Sequence, residues 1–149
     1  MLNTSKFYIT TPIYYVNDRP HIGHIYTTTI ADIIARYHRL IGDDVFFLTG
    51  TDEHGKKVAD AARSQEISPQ TFVDGVSGKF QETFTQLKMT NNDFIRTTEP
   101  RHEQSVRKYV RQLLETGDVY FGEYEGWYDF AQEEYVTDTN AREQEYKSA

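Results

Sequence analysis

Two histidines in the run His21-Ile22-Gly23-His24 stand where a short apolar stretch gives way to a long amphipathic one, a position suited to phosphate chemistry. Imidazoles supply N–H donors that a side chain can aim. The start of a helix gathers unpaired backbone N–H groups and the positive end of the macrodipole, which favour anions. Gly23 has no Cβ, so a flat ring or a phosphate can approach the main chain closely. A second polar run, Asp52-Glu53-His54-Gly55, follows a second apolar stretch. There Asp52 can pair with an ammonium group, while Ile13 and Tyr15 can wall an apolar side chain. This set suits attack by a carboxylate on the α-phosphate of ATP, a reaction in which the protein mainly stabilises charge on the phosphoryl oxygens.

The elements that must hold these residues can be read from periodicity. Residues 6–11 (KFYITT) are β-branched and aromatic, as a buried parallel strand requires, and Pro12 ends the run because it has no N–H for a ladder. From Ile25 the apolar positions Ile30, Ile33, Ile34, Tyr37, Leu40 and Ile41 follow one helical face, and Gly42 stops it. Residues 44–51 (DVFFLTGT) predict a second buried strand. A helical segment then runs to about Gln65, and Ser68-Pro69 opens another helix with Phe72, Val73, Val76, Phe80, Phe84 and Leu87 on one side, weakened by Gly75 and Gly78. Residues 93–97 predict a third strand, and 99–115 a helix closed by Gly117. Strands alternating with helices imply an α/β fold with a parallel sheet and helices on its faces. From Asp118 the texture changes to aromatics, acids and glycines, predicting short strands and turns, followed by a polar tail.

In such a sheet, ligands bind beyond the carboxyl ends of the strands, which is where both polar runs fall. The chain has 149 residues, enough for one domain with a core. Its net charge of −7 argues against a general nucleic-acid surface, so any RNA contact is local. Without cysteine there are no disulfides and no thiolate zinc ligands. The first residues lack a leader pattern and no run reaches membrane-spanning length, so a cytoplasmic protein is expected. The residues alone leave other readings open. His21 and His24 can simply cap the helix or face solvent, or join Asp52, Glu53 and His54 around a divalent ion. His54 reads as a helix-start residue, His38 and His102 as ordinary surface or helix-end histidines, and Tyr37, Phe72, Phe80 and Phe84 as core packing.

Three blocks in order then carry a resemblance: TPIYYVNDRPHIGHIYTT from residue 11, FLTGTDEHG from 47 and KMTNNDFIRTTEPRH from 88. They closely resemble methionyl-tRNA synthetases, class I aminoacyl-tRNA synthetases. The resemblance implies a Rossmann catalytic domain that activates methionine with ATP, releases pyrophosphate and passes methionine to tRNA. It implies His21 and His24 on the ATP phosphates, Gly23 under the adenine, Pro12, Ile13 and Tyr15 at the methionine side chain, and Asp52 on its amino group. ATP with Mg2+, methionine and tRNA are the expected partners, with neither a membrane nor DNA. Residues 1–117 are expected to form the first half of the Rossmann domain, and 118–149 the truncated start of an inserted, β-rich connective domain.

Two departures stand out. The family's Lys-Met-Ser-Lys-Ser loop is missing, and Lys88-Met89-Thr90-Asn91 only echoes it. The chain is therefore expected to be an N-terminal fragment that binds ATP poorly and does not aminoacylate alone. Family members often have a Cys-x-x-Cys zinc knuckle after a Gly-Trp-Tyr like Gly126-Trp127-Tyr128; here those places hold Asp129 and Gln132, so no zinc is expected. A small HxGH adenylyltransferase is an alternative, but residues 140–149 supply no second phosphate loop. A non-catalytic binding module is another.

Overall fold

The computed structural model describes residues 5–143 and 145–147. The readings of the first four residues and of the last two lie outside them. The chain divides into two compact units, residues 1–109 and 110–149.

In the first unit β1 (Lys6–Thr10) pairs in parallel with β3 (Asp44–Asp52), from Lys6 opposite Asp44 to Thr10 opposite Leu48. The ladder runs one residue further, with Thr11 N donating to Leu48 O at 3.1 Å, and then breaks at Pro12, which has no proton to donate. It resumes as β2 (Tyr14–Tyr15), opposite Thr51 and Asp52. The short β2 was not expected from sequence, where Pro12 reads as a terminus. On the other edge of β3 lies β4 (Asp93–Arg96), also parallel. The carbonyls of β3 divide between these edges: Leu48 and Asp52 accept from Thr11 and Val16, whereas Phe47 and Thr51 accept from Asn92 and Thr97. β1 and β2 are thus one interrupted strand beside β3.

Helix α1 (Ile22–Leu40) connects β2 to β3, and α2 (Lys56–Ser64) and α3 (Pro69–Gln86) connect β3 to β4. Ser68 caps α3 by accepting from Thr71 N at 3.1 Å, with Pro69 at the first helical position as predicted. Gly75 and Gly78 do not interrupt it. α3 carries Phe72, Val73, Val76, Phe80 and Phe84 into the main core with Tyr14, Val16, Val58 and Ala62. Helix α4 (Pro100–Thr116) follows β4 and buries no residue. The result is an α/β arrangement, a parallel sheet flanked by helices.

The apolar stripe of α1 faces the opposite way from the sheet. The buried positions are Thr28, Ala31, Asp32 and Ala35, whereas Ile33, Tyr37 and Leu40 are 60%, 58% and 84% exposed. Tyr37 is therefore not core, contrary to the sequence reading. Small side chains bring α1 close to β3, where Ala31 and Ala35 pack on Val45 and Phe47. Polar contacts fix its angle. The Asp32 carboxylate accepts from the Thr90 main-chain N and Oγ1, both at 2.6 Å, and Arg39 donates to Thr90 and Asn92, which pins α1 to the segment leading into β4.

In the second unit β5 (Trp127–Asp129) and β6 (Glu134–Val136) form an antiparallel hairpin, followed by α5 (Asp138–Glu143). Tyr135 packs edge-on against Tyr124 and Tyr128, and Trp127 lies tilted against Tyr146. Among the described residues no helix is long and apolar enough to cross a membrane.

Candidate active site

His21 is the N-cap of α1, with extended backbone at φ −123° and ψ 174°. Its Nδ1 accepts from Gly23 N at 3.1 Å, while His24 Nδ1 accepts from His21 N at 3.2 Å. This reciprocal pair fills the role that serine and glutamate take in an ordinary capping box. It also has a chemical consequence. A neutral imidazole that accepts through Nδ1 carries its proton on Nε2, so both rings keep an Nε2–H donor free of the cap. The rings stack with centroids 3.7 Å apart. Burial, and then the neighbouring His21, hold the His24 pKa below its ordinary 6.5, which favours the neutral form that the cap needs.

Gly23 makes this geometry possible. A Cβ there would lie 2.9 Å from His21 Cε1, too close to the ring that folds over the helix start. His24 is braced from behind by Tyr14, whose ring lies 4.8 Å away and whose hydroxyl lies 2.8 Å from Thr28 Oγ1. Tyr14 stacks in turn on Phe80 of α3. The residue after Tyr14 is Tyr15, which sits opposite Asp52 in the β2–β3 ladder. β2 is thus the link between the histidine pair and the exit of β3.

At that exit two neighbouring carboxylates differ completely. Asp52 is half-buried, and its side chain has no hydrogen-bond or ion-pair partner among the described residues. Glu53 is 3% exposed and saturated: it accepts from Thr51 Oγ1 at 2.7 Å, from Arg96 Nε at 2.7 Å and Nη2 at 2.9 Å, and from Thr98 Oγ1. Burial is the largest single influence on Glu53 and pushes its pKa up, but these donors and the Arg96 charge together hold it below the ordinary value. So engaged, Glu53 is unavailable to a metal, and no cluster of three or more potential ligands occurs among the described residues. Gly55, at φ 122°, allows Tyr15 Oη to sit 2.2 Å from where a Cβ would project. Pro12 and Ile13 are exposed on the loop between β1 and β2. A cleft of about 330 Å3 opens beside Asn17, Arg19, Thr71, Gly75 and Lys79, and its lining includes none of His21, His24 and Asp52.

Comparison with known proteins bears on this arrangement. The model for "tRNA synthetases class I (M)" matches residues 7–144. The chain belongs to that family of class I tRNA synthetases. The methionine–tRNA ligase of Listeria monocytogenes is 56% identical over 139 residues, spanning 93% of this chain and 21% of the relative. That of Thermotoga maritima is 58% identical over 123 residues, spanning 83% of this chain and 20% of the relative. Among solved structures, Mycobacterium tuberculosis methionyl-tRNA synthetase in complex with methionyl-adenylate superposes with a TM-score of 0.86 at 38% identity, covering 91% of this chain and 27% of that one. The chain thus spans about a fifth to a quarter of the length of these relatives.

Within this synthetase segment several polar residues escaped the sequence reading. Arg96 lies 43 positions from Glu53 and is given no role by the sequence although it falls in the block from residue 88, yet it forks onto that carboxylate and reaches Asp74 at 2.5 Å. Thr97 O is shared by His54 Nε2 at 3.2 Å and His102 Nδ1 at 3.1 Å, which makes both histidines ties between elements. His38, read as an ordinary helix-end residue, stacks on Phe7 at 3.5 Å and pairs with Asp43 at 2.6 Å. In the hairpin of the second unit, Asp129 Oδ1 accepts from the main-chain N–H of Ala131 at 2.8 Å and of Gln132 at 3.1 Å. The turn after β5 is therefore held by a carboxylate bonded to the backbone. Those residues do not fit a zinc site, since one carboxylate is committed to the turn and a glutamine amide is a poor ligand.

Proposed function

We propose that the protein carrying this segment is a methionine–tRNA ligase, and that the segment supplies the first half of its catalytic domain and the start of an inserted connective domain from about residue 118. The methionine carboxylate attacks the α-phosphorus of ATP; the new C–O–P bond forms as the bond to the β-phosphate oxygen breaks, and pyrophosphate leaves. ATP arrives as its magnesium complex, so that metal belongs to the substrate. The Nε2–H groups of His21 and His24 donate to the phosphoryl oxygens as charge builds there. Gly23 leaves room for the adenine, Asp52 pairs with the methionine ammonium group, and Pro12, Ile13 and Tyr15 line the thioether side. Aminoacyl transfer to tRNA then releases AMP and draws on parts of the protein outside this segment. The proposed location is the cytoplasm, and the β5–β6 hairpin closes without zinc.

The observation that carries this reading is the pair of histidines whose Nδ1 atoms are both spent on the helix start, leaving two Nε2 donors at an anion-favouring helix tip. The test is ATP–pyrophosphate exchange by a full-length protein carrying this segment. Exchange is expected with methionine and not with leucine or valine. Absence of exchange with every amino acid would overturn the assignment.

A further inference from the structure

Asp52 and Glu53 are adjacent in sequence, and the contrast between them points to a division of labour. Everything around Asp52 is tied down while its own carboxylate is left open. Before it, Thr51 donates from its hydroxyl to Glu53. After it, Glu53 N donates to Thr97 Oγ1 at 2.8 Å, and His54 Nε2 meets Thr97 O. The carbonyl of Asp52 itself accepts from Val16 N at 3.3 Å. Arg96 closes the set, with the Nε–Nη2 edge of its guanidinium on Glu53 and Nη2 also on Asp74 of α3. A fork of this kind fixes orientation as well as charge.

We propose that Glu53 and Arg96 are positioning residues: their buried fork fixes the main chain on both sides of Asp52, so that the Asp52 carboxylate is presented to the substrate's ammonium group in one orientation. Asp74 extends the fork to α3 and makes that helix part of the same device. This inference rests on the methionine-activating reading above. A displacement of about 1 Å at a binding group can cost on the order of a hundredfold, so a loosened fork weakens amino-acid capture while leaving the histidine pair intact.

The test uses a full-length protein carrying this segment, with pyrophosphate exchange measured against methionine and against ATP separately, and with active sites titrated so that only folded enzyme is counted. Glu53→Gln and Arg96→Lys are each expected to raise KM for methionine roughly ten- to a hundredfold, with KM for ATP changed less than about twofold. Asp74→Asn lies at the exposed end of the fork and keeps the protein folded if the buried variants do not; it is expected to raise KM for methionine by a smaller factor. In an Asp52→Asn background Glu53→Gln is expected to add little, since the fork acts through Asp52. Equal changes in both KM values, a fall in kcat alone, or full additivity with Asp52→Asn would overturn the proposal. An unmutated protein that fails to exchange with methionine would instead remove the functional reading beneath it.

Discussion

His21 and His24 cap one another's helix turn: His24 Nδ1 accepts from the His21 main-chain N–H, and the His21 ring covers Gly23 N and stacks on the His24 ring. In the proposed mechanism, structure and chemistry share the same two side chains. Removing either ring costs a cap, worth about 0.5–2 kcal/mol of stability. In the proposed mechanism it also costs one phosphoryl donor, worth about 2.7–4 kcal/mol of barrier by analogy with other preorganised donors. His21→Asn separates these effects, because an asparagine oxygen can still cap. We expect its melting temperature to stay close to that of the unmutated protein while exchange activity falls a hundredfold or more. Retained activity in this variant would mean that His21 is only a cap.

The same geometry sets a pH dependence. Protonating His24 at Nδ1 abolishes its acceptor role, and its pKa lies below 6.5 through burial first and His21 second. The sign follows from a depressed pKa: the folded state binds fewer protons than the unfolded state, so the associated stability is complete above pH 6.5 and is lost as pH falls through the folded value. A proton NMR titration of the His24 ring should give a midpoint under that of an exposed histidine. A midpoint above it would contradict the cap.

Gly23→Ala tests why a glycine stands in this run. The added methyl meets the far end of the His21 ring rather than backbone, so the fold should survive and the ring should swing away from Gly23 N. Alanine is also the better helix former, by about 0.8–1.0 kcal/mol. The lost cap and the better helix former roughly offset each other, so the prediction is an enzyme of about the same thermal stability but much less active, with the residue-23 amide losing its protection from hydrogen exchange. Unchanged protection would show that the ring tolerates the methyl.

How far the sequence reveals this site depends on how local each feature is. Ser68-Pro69, the strand at the start of β3 and the placement of His21 at a helix tip are set by neighbours within a few residues, and the folded chain places them as expected. The direction of α1 is not local. Its isoleucine stripe has perfect helical spacing, yet the face that meets the sheet is the small, partly polar one, because close approach to β3 selects Ala31 and Ala35 over larger residues. The role of Glu53 is equally hidden, since its partner Arg96 arrives from the next strand only once the sheet has formed. Adjacent acids look alike in sequence, and only the fold makes one structural and leaves the other open.

The Glu53–Arg96 fork should also contribute to the acid limb of stability. The depressed pKa of Glu53 means that its contribution is present above the unfolded carboxylate value and is lost as pH falls through the folded one. Arg96→Leu removes the cation and leaves Glu53, whose side chain is 0% exposed, without its charged partner. Breaking a buried pair in this way costs about 3–5 kcal/mol. Urea unfolding at pH 7 should show that loss, and the loss should shrink as pH is lowered and Glu53 takes up a proton. A cost independent of pH would mean that the leucine disturbs packing rather than charge.

Asp129 offers the corresponding test in the second unit. Its Oδ1 holds the main-chain N–H groups of Ala131 and Gln132, so an acceptor at this position closes the hairpin turn. Asp129→Asn keeps an acceptor oxygen and should preserve the slow hydrogen exchange of both amides. Asp129→Ala should release them, at a cost of about 1–3 kcal/mol for donors left without their partner. Metal analysis of the purified full-length protein, before and after dialysis against a chelator, distinguishes the two ways of closing such a turn. If chelation speeds exchange at Ala131 and Gln132 in the unmutated protein, the turn is held by a metal and the carboxylate account fails. If exchange there responds to the alanine substitution alone, the bond from backbone to carboxylate closes the turn by itself.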